Sequence, residues 1–346
     1  MINVALASYG MSGKVFHAPL LEAHPHLQLH KILERHRSES AERYPEAEIV
    51  RQYEDLLTDG SIDLVVVNTP NPYHYDMAKM ALEAGKHVVL EKPFTNTTEE
   101  AQRLIDLAKK QNRMLTVFQN RRWDSDFRTV QKVLTANVLG TVVEYEAHYD
   151  RFRNYVEENT WKEEDGPGSG ILYNLGSHMI DQALVLFGMP DTLYAKLSTQ
   201  RAGGQVPDAY HLILDYSDKQ VVLKSSYLVR DLGPRYKILG SQGTFTKYGI
   251  DPQEDLLKLG VSPNNSQIGI ESEDDWGTLD TELNGLHFRG RIASETGDYT
   301  LFYDNLYQVL QGKEDPAVKP EEARDVIRLI ELAYESDKRG QEVDVN

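Results

Sequence analysis

The chain has 346 residues, 40% of them hydrophobic and 26% charged, which suggests two domains because a single core stops growing near about 250–300 residues. Lys and Arg total 37 against 54 Asp and Glu, and the net charge of −17 makes nucleic acids and anionic membranes poor partners. The absence of Cys excludes disulfides, thiolate metal sites, iron–sulfur clusters and a thiol nucleophile.

The first third of the chain alternates short apolar runs with stretches of helical period. The apolar runs predict strands at 2–7, 27–33, 64–69, 87–90 and 115–118. Apolar residues at helical spacing predict helices at 15–23, around 53–57, at 75–84 and at 98–110. This alternation is typical of a parallel sheet covered by helices on both faces.

After about residue 122 the pattern changes, because strands follow one another without intervening helices. Strands are predicted at 142–151, 193–199, 211–216, 221–228 and 236–239, and helices near 176–187, 299–310 and 321–336. The segment 260–285 is rich in Asn, Ser and acidic residues and is interpreted as a long surface excursion. Successive strands of this kind indicate a mostly antiparallel sheet.

A glycine-containing turn directly follows the first predicted strand. The segment Ser8-Tyr9-Gly10-Met11-Ser12-Gly13 matches the dinucleotide pattern G-x-G-x-x-G, except that Ser8 replaces the first glycine. In that pattern, Gly10 lets the backbone approach a pyrophosphate and Gly13 lets the helix pack on the strand. Ser8, Gly10, Met11, Ser12 and Gly13 are therefore candidate cofactor residues, and a strand–helix turn without a ligand is the alternative.

The second predicted strand ends in charged residues with conflicting implications. Glu34 suits the ribose hydroxyls of NAD, whereas Arg35, His36 and Arg37 suit the 2′-phosphate of NADP. Glu34 could instead turn away and pair with an arginine, or all four could be solvated loop charges. We therefore expect NADP or NAD as cofactor.

These patterns together predict the fold class and the domains. We predict an α/β protein whose residues 1–121 form a Rossmann dinucleotide-binding domain. Residues 122–346 are predicted to form an α/β domain with a large, mostly antiparallel, open-faced sheet for substrate binding and oligomerisation. The C-terminal helices could pack back on the first domain.

Several further motifs occur in a characteristic order along the chain. They are Phe16-His17-Ala18-Pro19-Leu20, the stretch 67–74, Glu91-Lys92-Pro93, Asn120-Arg121-Arg122-Trp123-Asp124, Gly166-Pro167-Gly168-Ser169-Gly170, the stretch 168–181 and 247–254. In this order the sequence resembles the Gfo/Idh/MocA oxidoreductases over essentially its whole length. Within that family it is most similar to the NADP-linked scyllo-inositol dehydrogenases.

The resemblance implies hydride transfer between a carbinol carbon and nicotinamide C4. Lys92 matches the lysine beside the reacting oxygen, Glu91 matches an adjacent cofactor contact, and the Lys92–Pro93 peptide is typically cis in the family. His178 matches the histidine of the motif D-x-G-x-H and would accept the proton. Asn174 stands where relatives usually carry Asp, and its neutral amide cannot take a proton. We expect Lys92 and His178 to converge on one carbinol oxygen in a crevice between the domains.

The remaining candidate contacts follow from the same resemblance. Further cofactor contacts are expected from Thr69, Pro70, Asn71, His74, Asn120 and Arg121. Substrate contacts are expected from Tyr149, Arg151, Arg122, Trp123, Trp161, Tyr173 and Asn174, and core packing is the alternative for each aromatic residue.

Two other function classes remain open from the sequence. The departure at Asn174 also fits a non-catalytic regulator that senses NAD(P) or a sugar, and a redox-assisted glycosidase is a third hypothesis. No metal site is expected, since the 11 His include no H-E-x-x-H motif.

Partners and compartment follow from composition and from the alternation at 142–151. No apolar run approaches the roughly 20 residues that span a bilayer, and residues 2–7 do not resemble a signal peptide. We expect a cytoplasmic enzyme with a small polyol or sugar substrate. Val143, Tyr145, Ala147 and Tyr149 form one apolar face, which would be buried in a homodimer or homotetramer or under helices of the same chain.

Overall fold

The computed structural model describes residues 1–158 and 160–345, which form two compact units. Unit 1 comprises Met1–Trp123, Pro252–Ile268 and Asp298–Asp325, and unit 2 comprises Asp124–Asp251, Gly269–Gly297 and Val326–Asn346. Two segments from the second half of the chain therefore belong to the same unit as the N-terminal sheet. None of the helices in the described residues is long and apolar enough to cross a membrane.

The secondary structure follows the chain as strands and helices numbered in order. The strands are β1 (Ile2–Leu6), β2 (Leu27–Leu33), β3 (Glu48–Val50), β4 (Leu64–Val67), β5 (His87–Leu90), β6 (Leu115–Val117), β7 (Val142–His148), β8 (Thr192–Ser198), β9 (Ala209–Tyr216), β10 (Lys219–Ser226), β11 (Tyr236–Gly240), β12 (Gly243–Lys247), β13 (Gly277–Leu283), β14 (Leu286–Ile292) and β15 (Val343–Asp344). The helices are α1 (Ala18–Ala23), α2 (Glu54–Leu57), α3 (His74–Glu83), α4 (Thr98–Gln111), α5 (Ser125–Thr135), α6 (Ser177–Phe187), α7 (Gln253–Lys258), α8 (Thr300–Leu310) and α9 (Pro320–Arg339).

Unit 1 contains a six-stranded parallel sheet in the order β3-β2-β1-β4-β5-β6. All four residues of β4 are buried, as expected for a strand covered on both faces. The strand order reverses between β1 and β4, and ligands of such sheets bind at this switch point beside the carboxyl ends of the strands. The predicted Rossmann domain is confirmed.

Helices cover this sheet by burying one apolar face each. In α4, Ala101, Leu104, Ile105 and Ala108 are buried, and the Thr97 side chain caps the helix by accepting a hydrogen bond from the amide of Glu100. The later helix α8 packs on α1, and its Phe302 ring lies 4.9 Å from the Phe118 ring that follows β6. This contact explains why residues 298–325 belong to unit 1.

Unit 2 contains a nine-stranded sheet in the order β14-β13-β12-β11-β7-β10-β9-β8-β15. Its pairs are antiparallel except for β7 with β10, so the predicted mostly antiparallel sheet is confirmed. Tyr145, Ala147 and Tyr149 are buried, and the Tyr145 ring lies 5.3 Å from Phe187 of α6. Helix α6 of the same chain thus covers much of the apolar face of β7, and the predicted homo-oligomer would need another surface.

The surface excursion predicted at 260–285 is wrong from Gly277 onwards, because β13 begins there and pairs with β12 and β14. Most of β14 is exposed, although Leu286, Phe288 and Ile292 alternate in its sequence with His287, Arg289 and Arg291. Asn284 and Gly285 form the hairpin turn with φ of 52° and 78°. An Asn-Gly pair is a strong hairpin signal that the composition of the segment concealed.

Candidate functional site

The turn after β1 contains two glycines, of which packing within the protein requires Gly13 but not Gly10. A Cβ on Gly13 would lie 2.5 Å from the carbonyl oxygen of Ser8 and 2.9 Å from Nδ2 of Asn68, closer than atoms can approach. A Cβ on Gly10 would meet only Oγ of Ser8, at an ordinary 3.4 Å. Gly13 therefore allows the helix to pack against the strand, while no comparable protein contact accounts for Gly10.

Polar side chains follow β4 and β6 at the carboxyl ends of these strands, and one of them, Asn68, contacts this turn. Nδ2 of Asn68 donates a hydrogen bond of 2.8 Å to the carbonyl oxygen of Ser8. Among the described residues, Oδ1 of Asn68, Oγ1 of Thr69 and Oε1 of Gln119 are buried without a hydrogen-bond partner. Such atoms are rare and call for a ligand or water. Thr69 was a sequence candidate, whereas Asn68, directly after β4, and Gln119, two residues after β6, were not.

These features fit a dinucleotide at the switch point. The helix that follows Gly10 presents its N-terminal amides to the turn, and an amino-terminal helix end favours a phosphate. Met11 is 55% exposed, and Ser12 is half-buried. The turn is therefore accessible from solvent on the side where the helix begins.

The carboxylate of Glu34, directly after β2, is committed to the loop that follows it. Its Oε1 accepts hydrogen bonds from the amide and the hydroxyl of Ser40 at 2.9 and 2.5 Å, and its Oε2 accepts one from the amide of Glu39 at 2.9 Å. The Glu34 side chain is buried with them. Glu34 thus turns away from solvent, but towards backbone amides and a serine rather than towards an arginine.

The loop held by Glu34 exposes its basic side chains. Arg35, His36 and Arg37 are exposed, and Arg37 pairs with Glu39 at 2.7 Å. The guanidinium of Arg51 donates hydrogen bonds to the carbonyl oxygens of Glu34, at 2.5 Å, and Arg37. The loop is therefore braced from both sides while its cationic groups face solvent.

The turn Glu91-Lys92-Pro93 lies at the carboxyl end of β5, and its Lys92–Pro93 peptide is cis, as the resemblance implied. Oε2 of Glu91 accepts a hydrogen bond of 2.9 Å from the amide of Lys92. The fully buried His74 lies with Nδ1 2.9 Å from the carbonyl oxygen of Pro93 and Nε2 2.9 Å from that of Thr69. Burial lowers the pKa of His74, whereas the carbonyl oxygens of Thr69 and Pro93 oppose that shift, and the ring lies between the two loops that carry them.

The expected contacts after β6 carry ion pairs within unit 1. Arg121 pairs with Glu254, and Arg122 pairs with Glu322 at 2.8 Å and donates to the carbonyl oxygen of Ala317 at 2.8 Å. Burial opposes ionisation of Glu254, yet the charges of Arg121 and Lys258 lower its pKa to about 2. The Trp123 ring packs on Phe302 at 5.8 Å. The two arginines therefore stabilise the fold of unit 1. Of the other expected cofactor contacts, Asn120 and Asn71 are buried and Pro70 is exposed.

In unit 2, the predicted proton acceptor lies just after an irregular helical turn. Residues Leu172–Gly176 form a π-helical turn that continues into α6, and it carries Tyr173 and Asn174. Nδ2 of Asn174 donates a hydrogen bond of 3.3 Å to the hydroxyl of Tyr227. His178, four residues later, is buried with 4% exposure. Turns of this kind recur at functional sites because they redirect side chains.

The other expected substrate contacts of unit 2 fall into two groups. The guanidinium groups of Arg151 and Arg235 lie 5.2 and 4.3 Å from the centre of the Tyr149 ring. The Tyr173 ring lies 6.0 Å from Tyr334, and Trp161 is half-buried beside Lys162. Tyr149 and Arg151 are therefore together, whereas Trp161 lies on a separate loop. Lys92 belongs to unit 1 and His178 to unit 2.

Comparison with protein families identifies both parts of the chain. Residues 2–119 match the model described as oxidoreductase family, NAD-binding Rossmann fold, and residues 131–345 match the oxidoreductase family, C-terminal alpha/beta domain. The chain belongs to the Gfo/Idh/MocA oxidoreductase family. It is thus a member of a family of NAD(P)-dependent oxidoreductases with a dinucleotide-binding domain.

Several relatives match this chain along nearly its whole length. The chain is 39% identical over 342 residues to scyllo-inositol 2-dehydrogenase (NADP(+)) IolW of Bacillus subtilis, covering 99% of this chain and 95% of that protein. It is 40% identical to the uncharacterized oxidoreductase YdgJ of Escherichia coli, covering 97% and 96%. The solved structure of YvaA from Bacillus subtilis superposes with a TM-score of 0.96 at 38% identity, covering 100% and 99% of the two chains.

Proposed function

We propose that this protein is an NAD(P)-dependent dehydrogenase that oxidises a hydroxyl-bearing carbon of an inositol, another polyol or a cyclic sugar, or reduces the corresponding ketone. The observation that carries the proposal is the position of Lys92. Its turn ends β5 of the same parallel sheet whose β1 leads into the Gly10–Gly13 turn. Lys92 thus follows an inner strand at the carboxyl ends of the parallel strands, the region where such sheets bind dinucleotides, which supports a role for its ammonium group.

The chain supplies a charge and a proton acceptor for this reaction. The ammonium of Lys92 stabilises the alkoxide that develops on the substrate oxygen, or polarises the ketone in the reverse direction. The imidazole of His178 takes the hydroxyl proton during oxidation and returns it during reduction. When bound, the nicotinamide supplies the hydride acceptor or donor.

Asn174 leaves these two residues as the working pair. Its amide donates to Tyr227, so it can orient neighbouring hydroxyl groups without accepting a proton. A non-catalytic sensor would bind the cofactor equally well but would not need both Lys92 and His178. The retention of both residues favours the dehydrogenase over the sensor.

The proposed substrate class rests on the relatives and on the side chains around α6. One relative is a scyllo-inositol dehydrogenase, and another, 29% identical over 213 residues or 59% of this chain, is the D-glucoside 3-dehydrogenase of Escherichia coli. Tyr149, Tyr227 and Arg151 combine hydrogen-bonding groups with aromatic surface, which suits a polyhydroxylated ring. A cyclic polyol therefore fits better than an apolar alcohol.

We propose NADP as the preferred cofactor. A carboxylate that binds the ribose hydroxyls of NAD must be free to accept hydrogen bonds from them. Both oxygens of Glu34 instead accept hydrogen bonds from Glu39 and Ser40. The exposed Arg35 and Arg37 offer the positive charge that a 2′-phosphate requires.

The deciding experiment combines a cofactor titration with a substrate screen. Fluorescence titration of the purified protein with NADPH and NADH should give tighter binding of NADPH. A panel of inositols, sugar alcohols and glycosides should then yield reduced cofactor with at least one cyclic polyol. Cofactor binding without turnover across the panel would support the sensor, and aryl-glycoside cleavage without net reduction would support a redox-assisted glycosidase.

A further inference from the structure

A chain of buried hydrogen bonds leads from helix α8 to the backbone of Lys92. The hydroxyl of Tyr303 lies 2.7 Å from Nδ1 of His17, and Nε2 of His17 lies 3.0 Å from Oε1 of Glu91. Oε2 of Glu91 then accepts from the amide of Lys92 at 2.9 Å. His17 and Tyr303 have no exposed surface, and Glu91 is only 8% exposed.

Chemistry assigns each proton in this chain. Burial opposes ionisation of Glu91, but the hydrogen bond from His17 and the charge of Lys92 keep the pKa of Glu91 below its ordinary value. An ionised carboxylate only accepts, so Nε2 of His17 carries the proton that points at Glu91. In a neutral imidazole, Nδ1 then accepts a hydrogen bond from the hydroxyl of Tyr303. Each hydrogen bond between Tyr303, His17, Glu91 and the amide of Lys92 then has one donor and one acceptor, which makes such a buried network rigid.

We propose that His17, oriented by Tyr303, is a positioning residue that acts through Glu91 to hold Lys92 in its reactive place. The proposal rests on the function proposed for Lys92. The proposal gives the histidine of the motif Phe16-His17-Ala18-Pro19-Leu20 a positioning role. This histidine ends the π-helical turn Gly13–His17, which follows the glycine-containing turn after β1. The same helical segment would then serve the cofactor with its first residues and Lys92 with its last.

The network predicts different outcomes for two similar substitutions. In His17→Gln, the amide nitrogen lies near the former Nε2 and still donates to Glu91. In His17→Asn, the shorter side chain reaches only as far as Nδ1, so Oε1 of Glu91 loses its donor. We expect kcat to fall by about tenfold or more in His17→Asn and to recover most of its value in His17→Gln. The Kd for NADPH and the KM for the polyol should stay unchanged in both variants.

A second measurement reports the network without turnover. Hydrogen–deuterium exchange of the peptide covering Leu90–Phe94 should show faster exchange at a single amide, that of Lys92, in His17→Asn but not in His17→Gln. The amide of Glu91 is bonded to Val67 within the sheet and serves as an internal reference. His87→Ala is the matched control, because it removes an imidazole from the opposite end of β5, where His87 accepts from the amide of Met114.

The results separate this proposal from the dehydrogenase proposal. If the native protein lacks turnover, the proposed function fails, and the exchange data still decide whether His17 holds the Lys92 amide. Equal kcat and equal exchange in the native protein and His17→Asn would overturn the positioning role. Equal losses in His17→Asn and His17→Gln, or a loss that follows a lower melting temperature and weaker NADPH binding, would also overturn it and make His17 merely structural.

Discussion

Nδ2 of Asn68 donates a hydrogen bond of 2.8 Å to the carbonyl oxygen of Ser8. These residues follow β4 and β1, the neighbouring strands between which the strand order of the sheet reverses. The bond therefore ties together the two loops that border the switch point. It also leaves Oδ1 of Asn68 directed elsewhere, buried and without a partner among the described residues.

Substitution by alanine should have different effects at Gly13 and Gly10, the two glycines of the turn after β1. Gly13→Ala places a methyl group 2.5 Å from the Ser8 carbonyl oxygen, so the strand and helix must separate. We expect a loss of stability of about 1–3 kcal/mol together with loss of NADPH binding. Urea unfolding and fluorescence titration measure the two effects.

Gly10→Ala is the informative companion, because its methyl group meets only Oγ of Ser8 at 3.4 Å. We expect unchanged unfolding but NADPH affinity weakened by about tenfold or more, since the new Cβ occupies the path of the pyrophosphate. Unaltered affinity in a stable Gly10→Ala protein would argue against a dinucleotide at this turn.

Lys92→Ala should separate chemistry from binding. Loss of the ammonium removes one charge that stabilises the developing alkoxide, and we expect kcat to fall by about 10²–10³-fold. The Kd for NADPH should change little. Lys79→Ala provides the control, since Lys79 is exposed on α3 and pairs only loosely with Glu83, at 3.9 Å. A Lys92→Ala protein with the native kcat would remove Lys92 from the mechanism.

Substitution of the proposed proton acceptor should change the pH profile as well as the rate. In His178→Gln we expect kcat to fall by about 10²–10⁴-fold and the rise of kcat/KM with pH, which reports the imidazole, to disappear. Asn174→Asp tests the departure from the family motif, and a carboxylate there should increase the rate of oxidation. A residual rise of kcat/KM with the original midpoint in His178→Gln would assign the proton to another group.

The fold was largely predictable because buried parallel strands are uninterrupted apolar runs. Leu27–Leu33 and His87–Leu90 have the bounds predicted from sequence. The strands Glu48–Val50 and Leu286–Ile292 were not predicted. Glu48–Val50 has only three residues, which is too few to show a hydrophobic pattern. Leu286–Ile292 does alternate apolar and charged residues, but it follows a polar segment that was interpreted as a surface excursion.

Candidate site residues can be named from the sequence where a local motif marks them, but not where distant residues meet. Gly13 and Lys92 lie in short motifs at strand ends, and these motifs make them candidates from the sequence alone. His17 and Tyr303 contact each other across 286 positions, and no local pattern links a histidine of the first helix to a tyrosine of α8. The partner of Glu34 stayed open, because sequence shows the residue type but not the direction of its carboxylate.

Glu34→Gln should change cofactor choice through the loop rather than through a lost contact. The amide keeps one acceptor oxygen but places a donor against the amide hydrogens of Glu39 or Ser40, so the loop loosens. We expect NADPH affinity to fall severalfold and NADH affinity to stay the same. Arg37→Ala should give the same pattern, and Arg43→Ala on the neighbouring segment serves as a control for charge alone. Tighter NADH binding in the native protein than in Glu34→Gln would return Glu34 to the role of ribose ligand.

Stability should depend on pH through His148 of β7. Its Nδ1 lies 3.0 Å from Asp150 and its Nε2 3.0 Å from Glu146, which also pairs with Lys224 at 2.7 Å. Burial opposes the imidazolium, but hydrogen bonds to both carboxylates prevail and raise the pKa of His148 above its ordinary 6.5. This stabilisation is therefore fully present below the unfolded pKa and is lost as the pH rises through the folded pKa.

His148→Gln should remove this part of the pH dependence. We expect the free energy of unfolding of the native protein to decrease from about pH 6 towards about pH 9, and that of His148→Gln to decrease less. Urea unfolding at each pH measures both, and His36→Gln is the control because His36 is exposed on the loop after β2. Parallel pH profiles for the native protein and His148→Gln would show that the imidazole between Asp150 and Glu146 does not titrate in this range.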